Sequence, residues 1–392
     1  MKKFFTNTVD KLDIRLRWEG PPLAGGPRAD ELEAPVFRFR HLLAAVLALA
    51  LVASLAACGG DDDGGSSTAA GGDSGGETLS LGYFPNVTHA TALVGVHEGI
   101  FQEALGDTKL ETATFNAGPE AVEALLSGAV DATFIGPNPA VNAYAQSDGE
   151  AVRIISGATS GGAFFVVKPD IDGPDDLRGR SVASPQLGNT QDVALRTWLA
   201  DNGLETTPEG GGDVEIVPQS NADTLDQFVA GEIDGAWVPE PWATRMVQEG
   251  DGKVLVDERD LWESTGGEYV TTHLIVRKDY LDDHRDIVLD LVRGVVEADR
   301  FVNEDADRAQ ADVAAEILSI TDQEIAPEVL SASWGNLTFT VDPIASSLQQ
   351  SADDAVAAGL LDEVDLRSPG IYDLSLLNEV LGDDGGEAVD GL

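Results

Sequence analysis

The chain has 392 residues, 43% of them hydrophobic, with a single cysteine, Cys58. That length and apolar content suit two or three domains with sizeable cores. A formal net charge of −45, from 69 acidic against 24 basic residues, excludes a nucleic-acid polyanion or an anionic membrane surface as partner of the folded part; it reads as a solvated surface that maintains solubility. One thiol also excludes an intramolecular disulfide and a thiolate-built zinc site.

Residues 1–35 contain Pro21, Pro22 and Pro27 and no sustained helical or strand period. They are expected to be disordered or untranslated, with Val36 as an alternative start. Arg38 and Arg40 then precede sixteen residues without a charge, Leu42 to Ala57. A basic stretch, a short apolar core and small residues make a secretion signal, and the run is short for a membrane span of about 20 residues. Its ending, Leu55-Ala56-Ala57-Cys58, resembles the lipobox of bacterial lipoproteins. That resemblance implies cleavage before Cys58 and acylation of its thiol. Residues 58–78, rich in Gly, Ser and Asp, cannot bury enough surface to order themselves and read as a lipidated flexible tether reaching roughly 25 Å.

The globular part opens with a strand, Leu79 to Phe84, and a helix from about Ala90 to Leu105. A strand (Thr112 to Asn116), a helix (Pro119 to Ser127) and a strand (Ala132 to Gly136) complete a β-α-β-α-β series. The series restarts with strands at Ser181 to Ala183, Val214 to Pro218 and Gly235 to Pro239, separated by helices at Thr190 to Asn202 and Ala222 to Ala230. Two stretches repeat without a gap at an offset of 103 residues: LLSGAVDATFIGPNPA from Leu125 and FVAGEIDGAWVPEPWA from Phe228. In each, Gly ends a helix in the left-handed conformation, Asp follows, an apolar run forms a buried strand, and a Pro-rich loop leaves it open. Two such units suggest two similar lobes facing one another.

The apolar runs Ala163 to Lys168 and His273 to Lys278 echo one another and are expected to be the two crossings between lobes. Lobe 1 is then 79–168 plus 273–381, and lobe 2 is 169–272. Beyond Asp279 helices dominate: Ile287 to Asn303, Ala306 to Ser319, Pro327 to Trp334, Pro343 to Ala358 and Leu374 to Leu381, with Pro327 and Pro343 in first turns. The acidic end, 382–392, is expected to be disordered.

Enzyme chemistry has little to stand on. His41 lies in the signal, and His89, His97, His273 and His284 are scattered without metal-ligand spacing. No nucleophile elbow, P-loop or dinucleotide fingerprint occurs. Small polar loops instead stand where strands give way to helices: Pro85 to His89, Gly136 to Pro139, Ser160 to Gly162 and Ser184 to Thr190. Free N–H groups at a helix start can hold an anion without Lys or Arg, and the same Ser, Thr and Asn side chains also serve as plain helix caps. Glu240 and Trp242 in the second repeat either receive an ammonium group or a flat apolar body, or are a surface Glu and a Trp packed in the lobe.

Taken in order, Asn116-Ala117-Gly118-Pro119, Gly128-x-x-Asp131, Asp176-Leu177-x-Gly179, the loop PQLGNTQD, Gly231-x-x-Asp234 and Glu240-Pro241-Trp242 resemble the solute-binding proteins of ABC importers for nitrate, sulfonates and taurine. This group shares its fold with thiamine-pyrimidine synthases. The resemblance covers Leu79 to Leu381 and implies an α/β protein of two Rossmann-like lobes, of periplasmic-binding-protein type II, with the helical C-terminal part on the first lobe. It implies a ligand cleft lined by Asn86, Thr88, His89, Gly136, Asn138, Ser160, Gly161, Gly162, Gly188, Asn189, Thr190 and Gln191, with Glu240, Trp242, Thr271 and Thr272 as additions. It further implies a small anionic or zwitterionic solute such as an aliphatic sulfonate or taurine, with nitrate or a thiamine-precursor pyrimidine as alternatives. An ABC permease and its ATPase are the expected partners of a monomer, with no cofactor, no metal and no catalytic residue. The pyrimidine synthases use a Cys-rich segment, from which this chain departs.

Overall fold

A computed structural model describes residues 77–392. The expected signal segment, Cys58 and the expected tether as far as residue 76 lie outside the described residues. In chain order the elements are β1 (Thr78–Tyr83), α1 (Ala90–His97), α2 (Ile100–Leu105), β2 (Lys109–Thr114), α3 (Gly118–Leu126), β3 (Ala132–Ile135), α4 (Pro137–Gln146), β4 (Val152–Gly161) and β5 (Ala163–Val167). Then come β6 (Ser181–Ser184), α5 (Thr190–Asp201), β7 (Glu215–Pro218), α6 (Asn221–Ala230), β8 (Gly235–Pro239), α7 (Trp242–Glu249) and β9 (Lys253–Asp257). The rest is β10 (Val270–Arg277), α8 (Lys278–Asp283), α9 (Arg285–Glu304), α10 (Ala306–Thr321), α11 (Pro327–Trp334), β11 (Leu337–Phe339), α12 (Ala345–Ala357) and α13 (Ser375–Asp383).

The strands form two sheets, ordered β11-β4-β10-β3-β1-β2 and β7-β6-β8-β5-β9. Strands buried on both faces alternate between two cores, because successive side chains point to opposite sides. In the first sheet Phe134 and Leu274 face one core, while Ile135 and Ile275 face the other. In the second, Phe165 and Trp237 stack at 5.5 Å on one side, while Phe164 and Val238 pack on the other. Helices α9, α10 and α13 cover the first sheet, as expected for the C-terminal part, whereas α12 packs against both α4 and α5 and so touches the second lobe as well.

The repeat is carried out atom by atom. Gly128 (φ 75°) and Gly231 (φ 76°) both end their helices in the left-handed region. Asp131 and Asp234 then do the same work: each backbone N–H donates to the carbonyl of Ser80 or Ser181, and each carboxylate accepts from that same serine's N–H. Each is also paired with an arginine, Arg277 at 3.4 Å and Arg180 at 2.8 Å. The aspartate thus ties the third strand of each lobe to the first.

The crossings differ from expectation. Neither echoing run crosses between lobes: β5 lies inside the second sheet, antiparallel to β8 and β9, and β10 lies inside the first, antiparallel to β3 and β4. The two runs are equivalent, each filling the same place in the opposite sheet. A strand hydrogen-bonded on both edges cannot also be the passage. The chain leaves the first sheet at Gly161 and Gly162, whose φ values of 80° and 76° allow the reversal, and returns through residues 258–269.

Smaller differences have local causes. The helix expected from Ala90 to Leu105 is broken in two by Gly99 at φ 73°. Ile344 at φ 46° delays α12 to Ala345, so Pro343 is outside the helix. The loops expected after the twin strands are only Gly136 and Glu240-Pro241 long, because α4 and α7 begin at once. Residues 384–392 carry no regular element, yet Asn378 donates to the Val389 carbonyl at 3.0 Å and accepts its N–H at 2.8 Å, pinning the end to α13. Among the described residues no helix is long and apolar enough to cross a membrane.

Candidate functional site

The carboxyl ends of the strands from both sheets converge on one cavity. Phe84, Asn86, Thr88 and His89 reach it from the loop after β1, Asn116 from the end of β2, and Gly136 from the end of β3. Opposite them stand Asn189, Thr190 and Gln191 at the start of α5, Asn221 at the start of α6, and Pro239 at the end of β8; Thr271 and Thr272 of β10 complete the wall. Local chemistry sets these loops. Thr159 donates to the Thr88 carbonyl at 2.8 Å and anchors the single turn before α1. Asp192 accepts from Gly188 N–H at 2.9 Å and from Arg196 at 2.9 Å, which shapes the entry to α5.

The cavity is small, about 20 Å³, room for little more than one water molecule. The lobes are therefore closed on each other. Trp242 Nε1 donates across the gap to Asn86 Oδ1 at 2.9 Å. A Cβ on Gly136 would lie 2.4 Å from Thr190 Oγ1, so the missing side chain is what lets the lobes meet there.

The lining is neutral: amides, hydroxyls, one imidazole and no carboxylate, ammonium or guanidinium. Burial pushes His89 down to about 3, so the ring, stacked on Phe84 at 4.5 Å, is uncharged at physiological pH. His89 Nδ1, Thr190 Oγ1, Asn221 Oδ1 and Thr272 Oγ1 are all buried without a hydrogen-bond partner. Each such atom costs on the order of 1–3 kcal/mol, so their convergence in one cavity calls for a polar guest. Helices α4, α5 and α6 all begin at this wall, and the positive ends of their dipoles favour negative charge.

The cavity thus gathers Asn86, Thr88, His89, Gly136, Asn189, Thr190, Gln191, Thr271 and Thr272 from the expected set. The others are elsewhere. Asn138 turns into the first lobe and donates to the Ser351 carbonyl at 2.7 Å. Ser160 and Gly161 line a separate hollow with Arg259, Glu268 and Asn336, and Gly162 abuts Leu337. Gly188 is a turn residue at φ 75°. Trp242 lies in an outer hollow with Phe115 and Ile320, which Asn86, Asn116 and Asn221 join to the cavity.

Glu240 is neither a surface residue nor part of the cavity. Only 1% exposed, it accepts from Thr244 N (3.1 Å), Thr244 Oγ1 (2.8 Å), Ser333 Oγ (3.0 Å) and Asn336 Nδ2 (2.7 Å). Burial raises its carboxyl above the ordinary range, opposed by these hydrogen bonds. Four donors on one carboxylate leave it nothing to offer a ligand. Phe84, Asn116, Asn221 and Pro239 were not anticipated as lining residues. Asn116 and Asn221 follow the second strand of their respective lobes, so the repeat itself carries the signal that finds them.

The described geometry has relatives. The taurine-binding periplasmic protein of Escherichia coli (strain K12) is 29% identical over 210 residues, which is 53% of this chain and 61% of that protein. The chain therefore spans about three fifths of that relative's length. The structure of the alkanesulfonate-binding protein SsuA from Xanthomonas axonopodis pv. citri bound to MOPS is similar with a TM-score of 0.62 at 20% identity, covering 74% of this chain and 96% of that one. The periplasmic nitrate-binding protein NrtA from Synechocystis PCC 6803 gives a TM-score of 0.65 at 18% identity, covering 79% and 89%. At such identities the likeness is one of fold. The model of the NMT1-like family matches residues 72–319, more than half of the sequence, and the chain belongs to that family.

Proposed function

We propose that this chain is an extracytoplasmic solute-binding protein of an ABC importer, which captures a small anionic organic solute such as an aliphatic sulfonate or taurine by closing its two lobes. The observation that carries this reading is the convergence of three orphaned atoms able to donate, His89 Nδ1, Thr190 Oγ1 and Thr272 Oγ1, on a cavity with no charged side chain, beside the orphaned acceptor Asn221 Oδ1. Neutral donors and helix N-termini replace an anion's water shell, and they let a protein of net charge −45 hold a negative solute.

The relatives that bind taurine and alkanesulfonates support a sulfonate over other anions. A nitrate ligand is the second reading, favoured by the nitrate-binding structural neighbour. A pyrimidine-synthase-like enzyme is disfavoured by the lone Cys58, which stands far from the cleft in sequence. The permease and ATPase are the proposed partners of a monomeric receptor, with acylated Cys58 and the following tether holding it at the outer face of the cell membrane.

Thermal unfolding in the presence of aliphatic sulfonates, taurine, nitrate and hydroxymethylpyrimidine tests the reading. A ligand at 100 times its dissociation constant stabilises by about 2.7 kcal/mol. A shift with a sulfonate supports the proposal, a shift with nitrate alone selects the second reading, and no shift with any anion removes both. Mass spectrometry of the processed protein that finds an unmodified N-terminus well upstream of Cys58 would remove the lipid anchor.

A further inference from the structure

A second cluster of chemistry-bearing groups stands away from the cleft, where the end of α1 meets α10. His97 is the last residue of α1, Glu98 its cap, and Asp312 and Glu316 lie one turn apart on α10. One donor atom from each of His97, Glu98 and Asp312 falls within 4.8 Å of the others. The two nitrogens of His97 have different neighbours. Nδ1 is 3.2 Å from Glu316 Oε2, whose other oxygen accepts from the Tyr83 hydroxyl at 3.2 Å. Nε2 is 3.9 Å from Asp312 Oδ1, too far for a hydrogen bond.

That arrangement holds the imidazole as metal sites do, with one nitrogen fixed by a carboxylate and the other presented to further carboxylates. Asp312 supplies an independent sign. The residue is 8% exposed, and its Oδ2 has no hydrogen-bond partner. The nearest positive group is Arg308, whose Nη2 donates to Glu98 and whose Nε stands 3.9 Å from Asp312 Oδ2. Its side chain is 55% exposed and rooted on the solvent side, so it can withdraw. Three carboxylates, Glu98, Asp312 and Glu316, face one guanidinium and one imidazole. The excess negative charge suits a divalent ion.

We propose that His97 Nε2, Glu98 and Asp312 bind a Zn²⁺-class divalent transition ion, with Glu316 and Tyr83 orienting the imidazole and the ion displacing Arg308. Zinc bonds of about 2.0–2.2 Å put tetrahedral donors roughly 3.4 Å apart. The donors here must therefore close in by little more than 1 Å, and His97, at 33% side-chain exposure, and Glu98, at 21%, have room to move. The mixture of imidazole and carboxylate selects zinc over calcium and magnesium, which take oxygen donors. Three protein ligands leave the fourth position to water, and the ion staples α1, which follows the cleft loop, to α10.

The test is a Zn²⁺ titration of the full chain carrying Cys58→Ser, against a competing chromophoric chelator, with Co²⁺ absorption reporting coordination geometry. The expected result is one ion per chain and a visible Co²⁺ band. His97→Gln and Asp312→Asn should each weaken binding at least about tenfold, and Glu316→Gln about 10- to 100-fold. Arg308→Gln should tighten it, an effect that a merely structural cluster would not show. Far-UV circular dichroism in chelator should match the parent for His97→Gln and Arg308→Gln, because both residues are exposed, and for Asp312→Asn and Glu316→Gln, because each keeps its side-chain volume. Binding unchanged in His97→Gln, no binding below about 1 mM, or equal affinity for Ca²⁺ would each overturn the assignment.

Discussion

Asn336 Nδ2 donates to Glu240 Oε1 at 2.7 Å, and this bond joins the segment between α11 and β11 on the first lobe to the start of α7 on the second. Ser333 adds a second bond to the same carboxylate from the end of α11. The pair is a latch beside the cleft. A glutamine at 240 would turn an N–H group toward donors, at a cost of roughly 1–3 kcal/mol to the closed form. Glu240→Gln should therefore weaken solute affinity about 5- to 150-fold without touching the solute. Isothermal titration with the strongest solute of the panel checks this, and small-angle scattering should show a more open ligand-free variant. An unchanged affinity would refute the latch.

Thr190 and Thr272 should show opposite effects on stability and binding. Each hydroxyl is buried without a partner, so Thr190→Val or Thr272→Val removes an unsatisfied group at nearly constant volume. The ligand-free protein should be as stable as the parent or more so. Affinity for an anion should fall roughly 10- to 100-fold, as expected for a hydrogen bond to a charged acceptor worth about 1.5–3 kcal/mol. Denaturant melts with and without solute separate the two effects; a loss of stability with intact affinity would mean that the hydroxyls are structural.

The neutral His89 makes a prediction about acidity. With its folded value pushed down to about 3 by burial, it does not titrate between pH 5 and 8. Solute affinity should be flat over that interval. Affinity that rises on acidification with a midpoint near 6.5, the ordinary histidine value, would show instead that the imidazolium holds the anion.

Glu258 makes a prediction about stability. It is 1% exposed, accepts from Trp237 Nε1 at 2.7 Å, and is raised to about 8, chiefly by burial. The folded protein holds this proton while the unfolded chain, near 4.5, releases it. Protons bound to the native form exceed those on the unfolded one across this window, so stability declines as pH rises from about 4.5 to about 8 and the contribution levels off above. Glu258→Gln should flatten that slope and stabilise the protein at pH 8, each pKa unit being worth about 1.4 kcal/mol. Urea melts at pH 5 and pH 8 measure it, and parallel slopes for parent and variant would refute it.

Much of this architecture was legible in the repeat. Gly128 and Gly231, Asp131 and Asp234, and the strands that follow are local features, and local features leave periodic traces in a sequence. The alternation of the β-α-β series placed the cleft loops, and nine of the sixteen expected residues line the cavity. The role of Glu240 is hidden in the sequence because its partners, Ser333 and Asn336, are about ninety residues away and carry no motif. Asn138 has the repeat position of a cleft loop, yet a helix start turns its side chain to Ser351. The echo between β5 and β10 was real, yet similarity between two strands cannot say which sheet each joins. That is decided by the turn at Gly161 and Gly162.

The place of β10 sets an order of assembly. It lies between β3 and β4, yet it follows the whole of the second sheet in the chain, whose strands β5 to β9 are contiguous. A chain growing or threading from its amino end can complete the second lobe first. Until β10 and then β11 arrive, β3 is open on one edge and β4 on both, each able to pair with a neighbouring molecule. The sheet of the second lobe is thus complete before that of the first. A truncation before Val270 would leave the second sheet complete but β3 open on one edge and β4 on both, and aggregation would begin at those edges.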